Sequence, residues 1–193
     1  MNPPADRHLC EMTSAAISQL VHASPWAIRL HAAVLTLEAI SGCAPQVVSV
    51  RAVAYNRSAI LRLGGALIPE SDAELAHLRE QVGPAMLPLG FDATHAVVAC
   101  GDLFIELSSW IDHDAAGVIV QPLVGQLPRN GSRRWTTEAR RFGVSIAYEL
   151  RPDVTVPQLS ESSRHLASHL ATKVIAHVRW NLDAPLSRNE RSA

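Results

Sequence analysis

The sequence predicts an α+β fold, in which a mostly antiparallel sheet is packed with helices. Helical patterns lie towards both ends of the chain, whereas β-branched and alternating segments occupy its middle. A Gly-Asp pair between two apolar runs is typical of a β-hairpin. The 193 residues are 48% apolar and 18% charged, which is the composition of a globular chain rather than a disordered one.

Two helices are predicted in the first quarter of the chain. The first runs from about residue 6 to residue 22. The second covers residues 25–41, with Ser24 as its cap, Pro25 at its first position and Gly42 at the left-handed position beyond its end. An apolar stripe at helical spacing predicts that this second helix is buried.

Two further helices lie later in the chain. Ser71 and Glu74 form a capping box at the start of the third helix, which Gly83 ends. A last helix covers about 159–180 and has one apolar face. The remaining predicted elements are strands at 46–55, 117–124 and 143–150, a hairpin at 94–108 and a loop at 83–92.

The strand pairing of the hairpin THAVVACGDLFIELS predicts which of its side chains share a face and could act together. With Gly101-Asp102 as the turn, alternation of side chains defines a shared face. That face consists of His95, Val97, Ala99, Phe104, Glu106 and Ser108. Glu106 is then a diagonal neighbour of His95, and a carboxylate there can orient an imidazole and stabilise its protonated form. The alternative is a histidine satisfied locally on a half-exposed sheet, with a solvated Glu106.

Residues 24–110 resemble the transglutaminase-like branch of the papain-like cysteine hydrolases. The resemblance rests on a helix that ends in glycine, the strand QVVSVRAVAYN, and then the segment HAVVACGDLFIELS. In that family, a His and an acid on adjacent strands complete a triad with a Cys at the start of the central helix. The resemblance implies a papain-like core, with His95 as the base and Glu106 as the orienting acid, where the family more often has Asp.

The nucleophile is the point at which the chain departs from that family. The segment SPWA at 24–27 contains no Cys, and Cys43 follows a helix C-terminus, which opposes a thiolate. Cys100 lies on the hairpin face away from His95, and Cys10 lies on the first helix. Ser24 is in about the right place, although capping also explains it.

Three hypotheses about function therefore remain open. The first is a transglutaminase-like domain of unknown substrate that acts as a degenerate hydrolase or as a binding scaffold for a small molecule or peptide. The second is a non-enzymatic interaction module that binds a phosphate-bearing or acidic partner through the arginine-rich segment 129–141, which is otherwise a solvated loop. The third is an active amide or peptide hydrolase that uses Cys10 or Ser24 with His95 and Glu106.

No cofactor or metal site is predicted. His165 and His169 are four residues apart and could chelate a metal, but their position at the border of the apolar stripe favours solvated flank residues. The segment Asp112-His113-Asp114 is interpreted as a polar turn.

Charge and cysteine content set further expectations. A net charge of −1 gives no steering towards nucleic acid or an anionic membrane. Neither a signal peptide nor a membrane span is expected, and three scattered cysteines are too few for a disulfide framework. We therefore expect a cytoplasmic protein with reduced thiols, consisting of one domain over 1–182 and a disordered tail over 183–193.

Overall fold

The described part of the protein consists of helices and one antiparallel sheet. The computed structural model describes residues 6–21, 23–83, 92–107, 123–128, 131–139, 144–156 and 158–183. Its elements are α1 (Arg7–Leu20), α2 (Trp26–Ser41), β1 (Gln46–Asn56), α3 (Arg57–Leu63), α4 (Asp72–Val82), β2 (Asp92–Cys100), β3 (Leu103–Glu106), β4 (Leu123–Gln126), β5 (Arg134–Ala139), β6 (Val144–Leu150) and α5 (Glu161–Asp183). The strands form one antiparallel sheet in the order β4-β3-β2-β1-β6-β5, which confirms the α+β class.

Local capping signals account for several helix ends. Asp6 caps α1, because its carboxylate accepts hydrogen bonds from the amides of His8 and Leu9. Gly42 ends α2 in the left-handed conformation, at φ 64°, as its position predicts. The hydroxyl of Ser71 accepts a hydrogen bond from the amide of Glu74 at the start of α4.

The start of α2 differs from the prediction. Pro25, not Ser24, is the N-cap residue, and no side chain caps this helix. The carbonyl of Pro25 accepts hydrogen bonds from the amides of Ile28 and Arg29, at 3.0 and 3.2 Å. The amide of Ser24 instead donates to the carbonyl of Val21. Ser24 thus belongs to the turn that follows α1, and the prediction that it caps α2 is wrong.

Two elements were absent from the sequence prediction. The short helix α3 follows β1 directly, and β5 occupies part of the segment expected to be an arginine-rich loop. Pairing explains β5, because Trp135 and Thr137 are aligned with Tyr148 and Ile146 of β6. An edge strand of this kind depends on its neighbour more than on its own propensity.

Some predicted features lie outside the described residues. They are most of the loop at 83–92, the part of the strand at 117–124 that precedes Leu123, Ser108, the segment 112–114 and the tail beyond Asp183. Strand β4 begins at Leu123, near the end of the predicted strand. Strand β6 and helix α5 lie within three residues of their predicted bounds.

The two faces of the sheet bury different side chains. One face packs against α1 and α2 and contributes Ala96, Val98, Cys100, Leu103 and Ile105 to the main core, which α5 completes by packing on those two helices. The opposite face buries a second cluster of Val50, Ala52, Ala54, Val97, Phe104, Ile146 and Tyr148. A third cluster at the far end of β1 lies beneath α3 and α4.

The sheet curls until its two edge strands approach each other. Gly125 on β4 lies against Phe104, and a Cβ atom built there would stand 2.4 Å from the Phe104 ring and 3.2 Å from Oγ1 of Thr137 on β5. Any larger residue would displace the ring, so glycine is required at this position. The curled sheet encloses the second cluster.

A disulfide joins Cys43, just beyond α2, to Cys100 at the end of β2. This corrects the expectation that all thiols are reduced. The two cysteines are 57 residues apart in sequence, and only the packing of α2 on the sheet brings them together. Because disulfides are rare in the reducing cytosol, the cytoplasmic location stays a prediction.

The last helix, α5, packs one side against the core and leaves the other in solvent. Leu170, Val174 and Val178 are buried, whereas Trp180 is 76% exposed. Among the helices within the described ranges, none has the length and apolar character needed to cross a membrane.

Candidate functional site

The β2–β3 hairpin has the register that its sequence predicts. Cys100 is paired with Leu103, Ala99 with Phe104 and Val98 with Ile105. Gly101 in the turn has φ 62°, which glycine adopts without strain. Alternation from these pairs places His95 and Glu106 on the face that buries the second cluster.

His95 and Glu106 are in direct contact, as predicted. Nε2 of His95 lies 2.6 Å from Oε2 of Glu106, and the two side chains are 1% and 0% exposed. An ionised carboxylate only accepts hydrogen bonds, so the imidazole donates through Nε2. In the neutral ring Nδ1 is then the basic nitrogen, which is the arrangement of a base held by an orienting acid.

Tyr148 on β6 adds a second donor to the same carboxylate oxygen. Its hydroxyl lies 3.2 Å from Oε2 of Glu106, and its side chain is fully buried. Burial, followed by the charge of Glu106 and the hydrogen bond to it, holds the pKa of Tyr148 well above 10. Tyr148 therefore remains a neutral hydroxyl that donates to Glu106.

Aromatic neighbours hold the ring of Tyr148 in place. Trp135 stacks on it with ring centroids 5.2 Å apart and planes at 18°. Phe104 meets it edge to face, also with centroids 5.2 Å apart. These contacts fix the direction of the hydroxyl, since a packed ring has little freedom to rotate away.

The first residue of α2 covers His95. The ring of Trp26 stacks on the imidazole with centroids 5.6 Å apart and planes at 24°. Trp26 itself is half-buried, and its Nε1 has no hydrogen-bond partner among the described residues. The start of α2 therefore meets His95, as predicted, but through an indole ring.

Arg29 brings positive charge to this part of the site. It lies one turn after Trp26 and close enough to Glu106 for the carboxylate to favour its charged form. Burial of the guanidinium is the larger effect and lowers the pKa of Arg29. A cation here offsets part of the cost of burying the Glu106 carboxylate.

None of the three cysteines, all of which the structure describes, is arranged as a nucleophile. Cys43 and Cys100 are consumed by the disulfide. Cys10 is 1% exposed on α1, and burial, with further effects from Asp6 and Glu11, raises its thiol pKa to about 11. A thiol with that pKa is almost entirely protonated at neutral pH. Ser24 remains before the start of α2, and its catalytic role stays a prediction.

The arginine-rich segment presents less to a partner than its sequence indicates. Nε of Arg134 lies 2.7 Å from Oε1 of Glu149, and Oε2 of the same carboxylate lies 3.4 Å from Nη1 of Arg51. Trp135 points into the second cluster, where it stacks on Tyr148. Both contacts oppose a surface that stacks on a base or grips phosphate. Arg129, Arg140 and Arg141 lie outside the described residues.

His165 and His169 on α5 remain separate from the site. His165 is exposed and lies 3.9 Å from Glu161, one turn earlier in the helix. His169 is also exposed. Across the described ranges, no cluster of three potential metal-binding side chains was found.

Sequence reasoning missed Tyr148, Arg29 and the contact made by Trp26. Tyr148 lies in a predicted strand, but its contact with Glu106 depends on the strand order. In that order β1 lies between β6 and the β2–β3 hairpin. Trp26 lies in the segment where the resemblance places the nucleophile, and its size is the signal that could have identified a side chain covering His95. No family model, no curated protein and no solved structure matches this chain.

Proposed function

We propose that the protein is a transglutaminase-like domain that binds a small molecule or peptide without hydrolysing it. The observation that carries this proposal is the stack of Trp26 on His95 at the start of α2. The resemblance puts a nucleophilic Cys at the start of the central helix. Here an indole ring stands beside the base, and it has no thiol or hydroxyl that the imidazole could activate.

The base and its orienting acid retain their arrangement. His95 and Glu106 are 2.6 Å apart, and Tyr148 donates to the same oxygen of Glu106. A base without a positioned nucleophile could at best activate water, an effect worth about 10²–10⁴-fold. Because Trp26 covers an imidazole that is 1% exposed, water has little access to it. This geometry therefore disfavours hydrolysis at His95, which leaves binding as the function that we propose.

A nucleophile restored at position 26 tests the proposal. The variant Trp26→Cys should place a thiol beside His95 at a helix start, where the imidazolium and the helix dipole both favour a thiolate. We expect its thiol pKa to fall to about 7 or below. The rate of alkylation by iodoacetamide as a function of pH measures it. Cys10 contributes little background, because its thiol pKa is about 11 and it is buried.

The matched control is Trp180→Cys, which changes the same residue type at a position that is 76% exposed. Its thiol should keep an ordinary pKa of about 8.5. In the Trp26→Cys background, His95→Gln should remove most of the decrease in the thiol pKa. Circular dichroism checks that both single variants are folded. If their thiol pKa values are then equal, the proposal is wrong.

Assays of the unmodified protein distinguish this proposal from the competing hypothesis of an active hydrolase. We expect no turnover of generic amide and ester substrates by the wild type, and acylation of Trp26→Cys by an activated ester. Wild-type turnover that is lost in Cys10→Ala or Ser24→Ala would instead establish a relocated nucleophile.

A further inference from the structure

We propose that Tyr148 is a positioning residue that holds Glu106 as an anion and thereby fixes the Nε2-protonated tautomer of His95. The inference rests on the proposed function in that His95 is taken as the base of the site. It concerns the protonation of the pair rather than a ligand or a reaction. Its test therefore stands apart from the thiol chemistry at position 26.

Geometry supports this assignment. Oε2 of Glu106 accepts from Nε2 of His95 at 2.6 Å and from the hydroxyl of Tyr148 at 3.2 Å. All three side chains are at most 1% exposed. A buried carboxylate remains ionised only when donors and positive charge replace its hydration. Tyr148 supplies a neutral donor that cannot itself take the proton of Glu106.

The titratable groups described around Glu106 come from three elements. They are His95 on β2, Tyr148 on β6 and Arg29 on α2. Val50 of β1, which is paired with His95, carries no charge. Arg29 favours the anion in both protonation states of the imidazole, so it does not substitute for a directed hydrogen bond to Oε2.

The direction of the effect follows from where the negative charge is concentrated. When His95 is neutral, Glu106 carries a full charge, and the hydroxyl of Tyr148 binds it strongly. When His95 is protonated, the imidazolium partly neutralises the carboxylate and the same hydrogen bond is weaker. Tyr148 thus stabilises the deprotonated pair more than the protonated pair. It lowers the apparent pKa of the pair, so its removal raises that pKa.

The test is an NMR titration of histidine side chains labelled with ¹⁵N. His95 is identified among the nine histidines by the signal that disappears in His95→Gln. We expect Tyr148→Phe to raise the apparent pKa of the His95–Glu106 pair by about one unit and to weaken the Nε2-protonated tautomer.

The chain offers a matched control, because it has only two tyrosines and both are fully buried. Tyr55→Phe removes a hydroxyl of the same kind, in the cluster beneath α3 and α4, where it does not contact Glu106. It should leave the titration of His95 unchanged. A Tyr148→Phe titration that coincides with that of Tyr55→Phe would overturn the proposal.

A second measurement keeps the inference testable if Tyr148→Phe does not fold. In the Tyr55→Phe background, 3-fluorotyrosine can be incorporated at Tyr148 alone. Fluorine makes the phenol a stronger donor with little change in shape, so the apparent pKa of the pair should fall. An unchanged or raised pKa would overturn the proposal as well.

Discussion

The helix α2 meets the strand β2 at two places, and the two contacts differ in kind. Beyond the end of α2, Cys43 is covalently bonded to Cys100 at the end of β2. At the start of α2, Trp26 stacks on His95 without any bond. The same pair of elements is thus joined covalently at one contact and by packing at the other.

The surroundings of the two contacts differ as well. Cys43 and Cys100 belong to the main apolar core, and neither carries a charge there. His95 lies against a buried carboxylate, which is stable only with donors around it. The covalent contact and the site contact therefore lie at opposite ends of one helix. The covalent contact holds α2 on the sheet, so that the other contact can retain a costly buried charge.

Breaking the covalent contact should have the largest effect on stability. The disulfide closes a loop spanning a sequence separation of 57, and its reduction should lower the free energy of unfolding by about 4 kcal/mol. Urea denaturation with and without a reductant measures the change. The double variant Cys43→Ala, Cys100→Ala should be insensitive to the reductant, and Cys10→Ala should respond like the wild type. A wild-type midpoint that the reductant leaves unchanged would show that the pair is not bonded in solution.

Removing the buried acid should be the next largest change. Glu106→Ala leaves donors of His95 and Tyr148 without their acceptor, so we expect a loss of about 3 kcal/mol. Urea denaturation at neutral pH measures it. The control is Glu11→Ala, which breaks an exposed contact with Arg7 and should cost less than about 0.5 kcal/mol. Equal losses would contradict the view that Glu106 is buried among donors.

Removing the indole ring should have the smallest of the three effects on stability. Trp26→Ala should cost about 2 kcal/mol, below the value for a fully buried tryptophan because Trp26 is half-buried. It should also expose His95 to modification by diethyl pyrocarbonate. Trp180→Ala, at a position 76% exposed, should change neither the free energy of unfolding nor the reactivity of His95. An unreactive His95 in folded Trp26→Ala would show that another group covers the imidazole.

Local signals were sufficient for much of the fold. The apolar stripe and Gly42 predicted the body and end of α2, and the Gly101-Asp102 turn predicted the register that brings Glu106 to His95. These inferences succeeded because each depends on a few consecutive residues, whose period and turn chemistry act locally. Strand β5 was missed because it depends on pairing with β6.

Local sequence patterns account for the α+β class, the hairpin and the contact between His95 and Glu106. Long-range packing instead brings Trp26 over His95, Tyr148 to Glu106 and Cys43 to Cys100. Each of these contacts joins elements that are distant along the chain. Their formation depends on how α2 packs on the sheet and on the strand order. The hydrophobic periodicity of a single segment predicts neither of these.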